Sequence, residues 1–425
     1  MINDLRDTFN AQYRTEGYRT LLEDLEARAG TKIEFRVAET PVFLPLAMLE
    51  EMAEAGVELT RRLLRWPEYL ASARRSIPTE FLVAGQSGDP DSDHPNFLTA
   101  DFALIEDKKT GALAPRLVEI QAFPSVYAYQ AMLNEVYRET FGLAESLGVF
   151  LGGLDAESFW ALFRRTVLGR HAAENVVLTE VDPQHQKTLP DFLLTSRRLG
   201  IEVVDIATLV PIGNKLHYRN TLGELTPIHR IYNRAIVDEI VARKVKLPFD
   251  LTAAWSVEWA GHPNWYFLIS KFAVPWLSMA GESVVPPAAF LDDFLGGEGF
   301  ARLEAAGVKL PHAQDPEAVY DDLLLKPLFS FAGKGIQFGP SRAELEAIPE
   351  AERGNYLVQQ RMHFVPTIRT PHGLTQAEIR ILYIWPDGGE LIPSLPLVRL
   401  GRGKMMGVDH NRNQEWVGAS AAFWR

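Results

Sequence analysis

Apolar residues recur at helical spacing over residues 21–29 and 44–64, so the first 85 or so residues read as a mainly helical scaffold. The pattern then changes to short apolar runs. Residues 101–106 and 116–121 read as two strands joined across the turn-forming Asp107-Lys-Lys-Thr-Gly111, with Phe123-Pro124-Ser125 ending the second. Helices are predicted over 126–147 and over 156–168, the latter after Asp155, a carboxylate suited to capping a helix N-terminus. A β-branched strand at 175–181, a helix at 188–199 closed by Gly200, and a strand at 201–206 form a βαβ unit and imply a small parallel sheet. Strand 228–232 and helix 235–243 extend it. Beyond Pro248 the chain is aromatic, through Trp255, Trp259, Trp265 and Trp276, and then rich in Pro and Gly over 285–299. Strands are predicted at 322–327, 336–338, 356–362, 378–385 and 390–400, with a turn at Pro386-Asp-Gly-Gly389.

Composition narrows the function. The chain has 425 residues, 47% of them hydrophobic, which is enough for a large core and two or three subdomains. Cysteine is absent, so disulfides, thiolate metal sites and a cysteine nucleophile are excluded. The polar N-terminus lacks the form of a signal peptide, and a cytoplasmic location is expected. The richest apolar segment, 267–277, is short and carries Lys271, so a membrane span is not expected. A net charge of −12 argues against a nucleic-acid partner. Against that background the basic run Arg399-Leu-Gly-Arg402-Gly-Lys404, with Arg412 beyond it, reads either as a pocket for a small anion or as a solvated loop.

The segment Leu323-Leu-Leu-Lys326-Pro-Leu-Phe-Ser330-Phe-Ala-Gly333-Lys334-Gly335 holds the most chemistry. An apolar strand delivers one lysine, and a turn of small residues carrying a second follows. Such a turn can aim backbone N–H groups at phosphate oxygens while the ammonium groups supply charge. The alternative is a hairpin with solvated lysines. The spacing is not that of a P-loop, and the crossover at 182–187 has no G-x-G-x-x-G. Downstream, Gln359-Gln360-Arg361-Met362 ends an apolar strand and offers backbone groups to an adenine edge, unless it is an ordinary edge strand. Glu119 and Gln121 are two apart on one predicted strand and share a face, which Asp101 reaches from the paired strand. That set suits magnesium, which takes one or two carboxylates plus phosphates; the other reading is a solvated strand face. The ten histidines form no H-E-x-x-H pair, and Ser125, Ser330 and Ser420 lack a G-x-S-x-G setting.

Lys326 to Gly335 resembles the lysine and glycine-loop segment of ATP-grasp enzymes. Asp101, followed by Val118-Glu119-Ile-Gln121-Ala-Phe-Pro124, resembles the metal-binding segment of the glutathionylspermidine-synthetase-like and circularly permuted ATP-grasp proteins, in which a D then E-x-N pattern precedes the lysine loop. Ile231-Tyr-Asn-Arg234 and residues 264–271 are similar to the segments between those motifs. The resemblance implies an α/β (α+β) fold: a two-lobed ATP-grasp in permuted order, with a Rossmann-like pre-ATP-grasp unit and an N-terminal helical segment. It divides the chain into 1–170, 171–260 and 261–425. It further implies ATP held by Lys326, Ser330, Gly333, Lys334 and Gly335, adenine met by Gln359, Gln360 and Met362, and Mg2+ on Asp101, Glu119 and Gln121. Thr99 stands where the family has arginine and Gln121 where it has asparagine, so Arg380, Arg399 and Arg402 are the candidates to stabilise phosphoryl transfer. The activity expected is ligation of a small-molecule carboxylate to an amine, an amino acid, peptide or polyamine, through an acyl phosphate. A small-molecule kinase and a non-catalytic nucleotide-binding module are the alternatives.

Overall fold

The computed structural model describes residues 1–85, 93–107, 110–312, 315, 317–329, 335–403, 406 and 413–425. Its backbone is mixed α/β, with helices packed on four sheets. The largest sheet has seven strands: β1 (Val42–Leu44), β2 (Phe97–Glu106), β3 (Leu113–Gln121), β15 (Ile368–Thr370), β16 (Gly373–Ile384), β17 (Ile392–Gly401) and β18 (Gly418–Trp424). Their spatial order is β1-β18-β17-β16-β2-β3, with β15 paired to β16 off that path. The hairpin expected at 101–121 forms as β2 and β3, and both strands are longer than the sequence pattern indicated.

One face of this sheet is apolar throughout. Leu98, Ala100, Phe102, Ile379, Ile381 and Tyr383 pack with Leu49, Met52, Ala53 and Leu59 of the helix Leu46–Leu64. Gly56 makes this packing possible: the buried Tyr383 hydroxyl accommodates no side chain there, since a Cβ would lie 2.0 Å from it. The opposite face changes character along its strands. Phe97, Leu382 and Ile384 bury against Phe163 of the helix Ala156–Leu168 and against Leu178 and Tyr232. Two to four residues further along, the same face carries Thr99, Asp101, Arg380 and Glu378. Asp155 caps the helix Ala156–Leu168 in a reciprocal capping box with Ser158, as its position before an apolar helix predicts.

The βαβ unit is present. β4 (Val176–Glu180) and β5 (Glu202–Asp205) are parallel and are joined by the helix Leu189–Leu199, which ends at Gly200 in the left-handed region. The sheet continues through β9 (Arg230–Asn233) and β10 (Glu258–Ala260) in the order β10-β9-β4-β5. Between β5 and β9 lies a three-stranded sheet, β6 (Val210–Ile212), β7 (Lys215–Arg219) and β8 (Leu225–Pro227). The fourth sheet has the order β11-β14-β12-β13, from β11 (Ala288–Phe290), β12 (Leu323–Pro327), β13 (Gln337–Phe338) and β14 (Tyr356–Gln360). Trp265 and Phe267 are core residues that join this sheet's surroundings to the large one. Among the described residues, no helix is long and apolar enough to cross a membrane.

Candidate functional site

Register brings the charged residues of the large sheet into adjacent rows. Asp101 on β2 stands opposite Glu119 on β3 and Arg380 on β16, and Glu378 on β16 stands opposite Arg399 on β17. The β2/β3 ladder carries an irregularity beside Asp101, of the kind that re-aims side chains where a sheet meets a site. Thr99, two residues before Asp101 and opposite Gln121, is buried on the same face.

Asp101 is held on both oxygens. Arg380 donates from Nε to Oδ1 at 2.5 Å and from Nη2 to Oδ2 at 2.7 Å, and Arg399 Nη2 donates to Oδ2 at 3.0 Å. Arg399 Nη1 also lies 2.8 Å from Glu378 Oε1, and Arg380 Nη1 donates to Ser125 Oγ at 3.3 Å. Burial pushes the Asp101 carboxyl up, but the Arg380 and Arg399 guanidiniums outweigh it and hold the group below the usual carboxylate range. For Glu378 the balance runs the other way: burial, reinforced by the Asp101 charge, raises its carboxyl despite Arg399. Bidentate arginine pairing of this kind combines charge with fixed orientation.

Lys326 reaches this cluster from the fourth sheet. At the end of β12 its side chain is buried and its Nζ donates to Gln359 Oε1 on β14 at 2.9 Å, diagonally across the ladder. Burial pulls its ammonium down to about 8; Glu119 and Glu378 act to raise it and Lys271 to lower it further. Glu119 and Lys326, over 200 residues apart, are therefore electrostatic neighbours. The segment between them follows β3, with Ala122 N–H donating to Ile269 O at 2.9 Å, and it carries Tyr266, whose hydroxyl interacts with the Gln121 side chain. Gly335 adopts φ +78, and a Cβ there would meet Pro327 Cγ at 3.1 Å, so glycine is required at the return of the lysine loop. Ser330, Gly333 and Lys334 lie outside the described residues, as do Lys404 and Arg412.

The run predicted to meet adenine divides in two. The Gln359 backbone is taken up in the ladder between β11 and β12, Gln360 N–H donates to Pro287 O at 2.8 Å, and Arg361 N–H donates to Asp322 O at 2.6 Å. Met362 is the second residue beyond the strand, and among the described residues its backbone makes no hydrogen bond. Arg402 is placed differently from Arg380 and Arg399: it donates to Glu415 O at 2.8 Å and to Thr370 Oγ1 at 3.2 Å. Sequence reasoning missed Glu378, Lys271 and Tyr266. Glu378 had a signal, a carboxylate two residues before Arg380 on an apolar strand, which burial makes costly unless it is paired.

Of the three residues expected to hold magnesium, Asp101 is paired with Arg380 and Arg399, whereas Glu119 and Gln121 are not held by arginine. Both Asp101 oxygens are turned to guanidiniums. A dication on Asp101 would meet two arginine charges, each repelling it by roughly 4 kcal/mol per unit of its charge at 4 Å. Glu119 makes no hydrogen bond or close ion pair among the described residues. A cavity of about 1060 Å³ lies elsewhere, on the outer face of the helix Leu46–Leu64, lined by Val57, Arg61, Arg65, Trp66 and Met279, and none of the site residues borders it.

Comparison with solved structures bears on this arrangement. A glutathione synthetase-like effector from Globodera pallida, solved in its apo form, superposes with a TM-score of 0.53 over 95% of this chain and 96% of its own, at 10% identity. The two chains share a fold. A proposed gamma-glutamylcysteine synthetase from Methylobacillus flagellatus covers 84% of this chain and 83% of its own at 13% identity, with a TM-score of only 0.34. No protein-family model matches the sequence, and no curated protein matches it.

Proposed function

We propose that the chain is an ATP-dependent ligase that joins a small-molecule carboxylate to an amine, on a permuted two-lobed ATP-grasp framework. The lobes would be 1–170 and 261–425, with 171–260 as the Rossmann-like unit between them. One observation carries the reading: Lys326, fixed by Gln359 on one sheet, neighbours Glu119 and Glu378 on another, and Glu378 is paired with Arg399, in a chain that shares the effector's fold. Phosphates would lie between Lys326 and the arginines, with Lys334 and Gly335 closing over them and Met362 at the adenine edge.

In this reading a substrate carboxylate oxygen attacks the γ-phosphorus as the bond to the β-phosphate oxygen breaks, giving an acyl phosphate and ADP. The amine nitrogen then attacks the acyl carbon and phosphate leaves, taking the proton the amine sheds. The chain's own residues position these groups and stabilise charge, which is the main contribution proteins make to phosphoryl transfer. Magnesium, brought with the nucleotide, would add charge compensation beside Glu119 and Gln121, the two members of the set not held by arginine.

The test is ADP release against pooled amino acids, peptides and polyamines, with mass spectrometry of the product. The wild type is expected to give an amide, and Lys326→Ala and Glu119→Ala each to lose turnover by at least a hundredfold with the fold intact. Wild-type turnover in both variants would refute the assignment, and a stable phosphorylated product without amide would favour a small-molecule kinase. The arginine-held Asp101 also favours a second reading, a nucleotide-binding module without catalysis. It predicts ATP binding with no ADP release across the same panel.

A further inference from the structure

The three hydrogen bonds that hold Asp101 suggest a role other than metal binding. Asp101 and Glu378 are almost fully buried, with side chains 4% and 7% exposed, whereas Arg380 and Arg399 are 18% and 21% exposed. The carboxylates thus lie beneath and the guanidinium edges lie outward. Each guanidinium carries five N–H donors. Arg380 commits three, two to Asp101 and one to Ser125, and Arg399 commits one to Asp101 while its Nη1 forms an ion pair with Glu378. Both keep donors for a ligand. Lys326 adds a third cation to the two guanidiniums, beside Glu119 and Glu378.

We propose that Asp101 is the buried counter-ion of an arginine clamp, and that Arg380 and Arg399, with Lys326 opposite, hold a linear polyphosphate without a divalent cation at Asp101. The carboxylate locks the two guanidiniums in one orientation before the anion arrives, so their ordering cost is met by the fold. It also offers no site to a metal, because its oxygens already accept charge-assisted hydrogen bonds. This deepens the nucleotide reading, on which the identity of the polyphosphate as that of ATP rests.

Two probes keep the claims apart: inorganic triphosphate tests the clamp, and ATP tests the nucleotide reading. Calorimetric titration is expected to give triphosphate a dissociation constant in EDTA within about threefold of its value in magnesium. Arg399→Met should weaken it at least tenfold in both buffers. Asp101→Asn, which keeps the shape of the side chain but loses the bidentate hold on Arg380, should weaken triphosphate binding by the same factor in EDTA and in magnesium. A metal ligand at this position predicts a loss confined to magnesium. Loss of wild-type affinity by tenfold or more in EDTA, together with loss of the magnesium-dependent part in Asp101→Asn, would overturn the clamp. Should Asp101→Asn fail to fold by circular dichroism, the EDTA comparison on the wild type and Arg399→Met decides. Triphosphate binding without ATP binding would leave the clamp standing and remove the nucleotide reading; ATP binding without triphosphate binding in either buffer would do the reverse.

Discussion

Burial pulls the Lys326 ammonium down to about 8, partly offset by Glu119 and Glu378. Below that pH both the folded and the unfolded chain hold the proton, and the cost of burying the charge is fully present. Between about 8 and the ordinary lysine value of 10.5 the folded chain has released the proton and the unfolded chain has kept it, so this residue's contribution to stability rises with pH. Lys326→Gln keeps a partner for Gln359 and removes the charge. It is expected to be more stable than the wild type at pH 7 by about 1–3 kcal/mol, with the difference shrinking as pH rises from 8 to 10.5. Urea unfolding at several pH values measures this, and a difference constant with pH would show that burial does not perturb the lysine. The lysine itself was legible in the sequence, because it ends an apolar strand ahead of a small-residue turn. Its neighbours were less so: Glu378 shows only as a carboxylate on an apolar strand, and the pattern around Lys271 says nothing of what it faces.

Elements with strong local signals follow the sequence closely. The helix Ala156–Leu168 begins where Asp155 caps it, and the crossover helix Leu189–Leu199 ends at a left-handed Gly200. Elements defined by distant partners were missed. β1 is three residues inside a region that reads as helical, and it exists because Val42, Phe43 and Leu44 pair with Ala422, Phe423 and Trp424 of β18. β18 itself, rich in small residues, takes its strand form from β17 and β1. Close approach between elements was equally invisible. Gly56 looks like a helix-weakening residue, which costs about 1 kcal/mol relative to alanine. In the fold, Gly56→Ala is instead expected to destabilise by about 1–3 kcal/mol, because its Cβ would collide with the buried Tyr383 ring and hydroxyl. An unchanged urea midpoint would show that the helix Leu46–Leu64 shifts freely on the sheet.

At the scale of the molecule, the site is a meeting of the large sheet with the sheet that carries Lys326, and the chain between them follows the edge of β3. The sequence indicated which residues would meet, through motif resemblance, but not how they would pair. Asp101 and Glu119 read as a metal set because their strand spacing places them on one face. The guanidiniums of Arg380 and Arg399 come to that face from strands more than 250 residues further on, and they pair with Asp101. The division of labour is thus set by sheet order, which places β16 between β2 and β17. The most direct measurement is a crystal structure with a non-hydrolysable ATP analogue. The account predicts the triphosphate between Lys326 and the Arg380 and Arg399 pair, with adenine at Met362 and Asp101 still bound by both arginines. A triphosphate bound away from that cleft, or absent from it at saturating analogue, would contradict it.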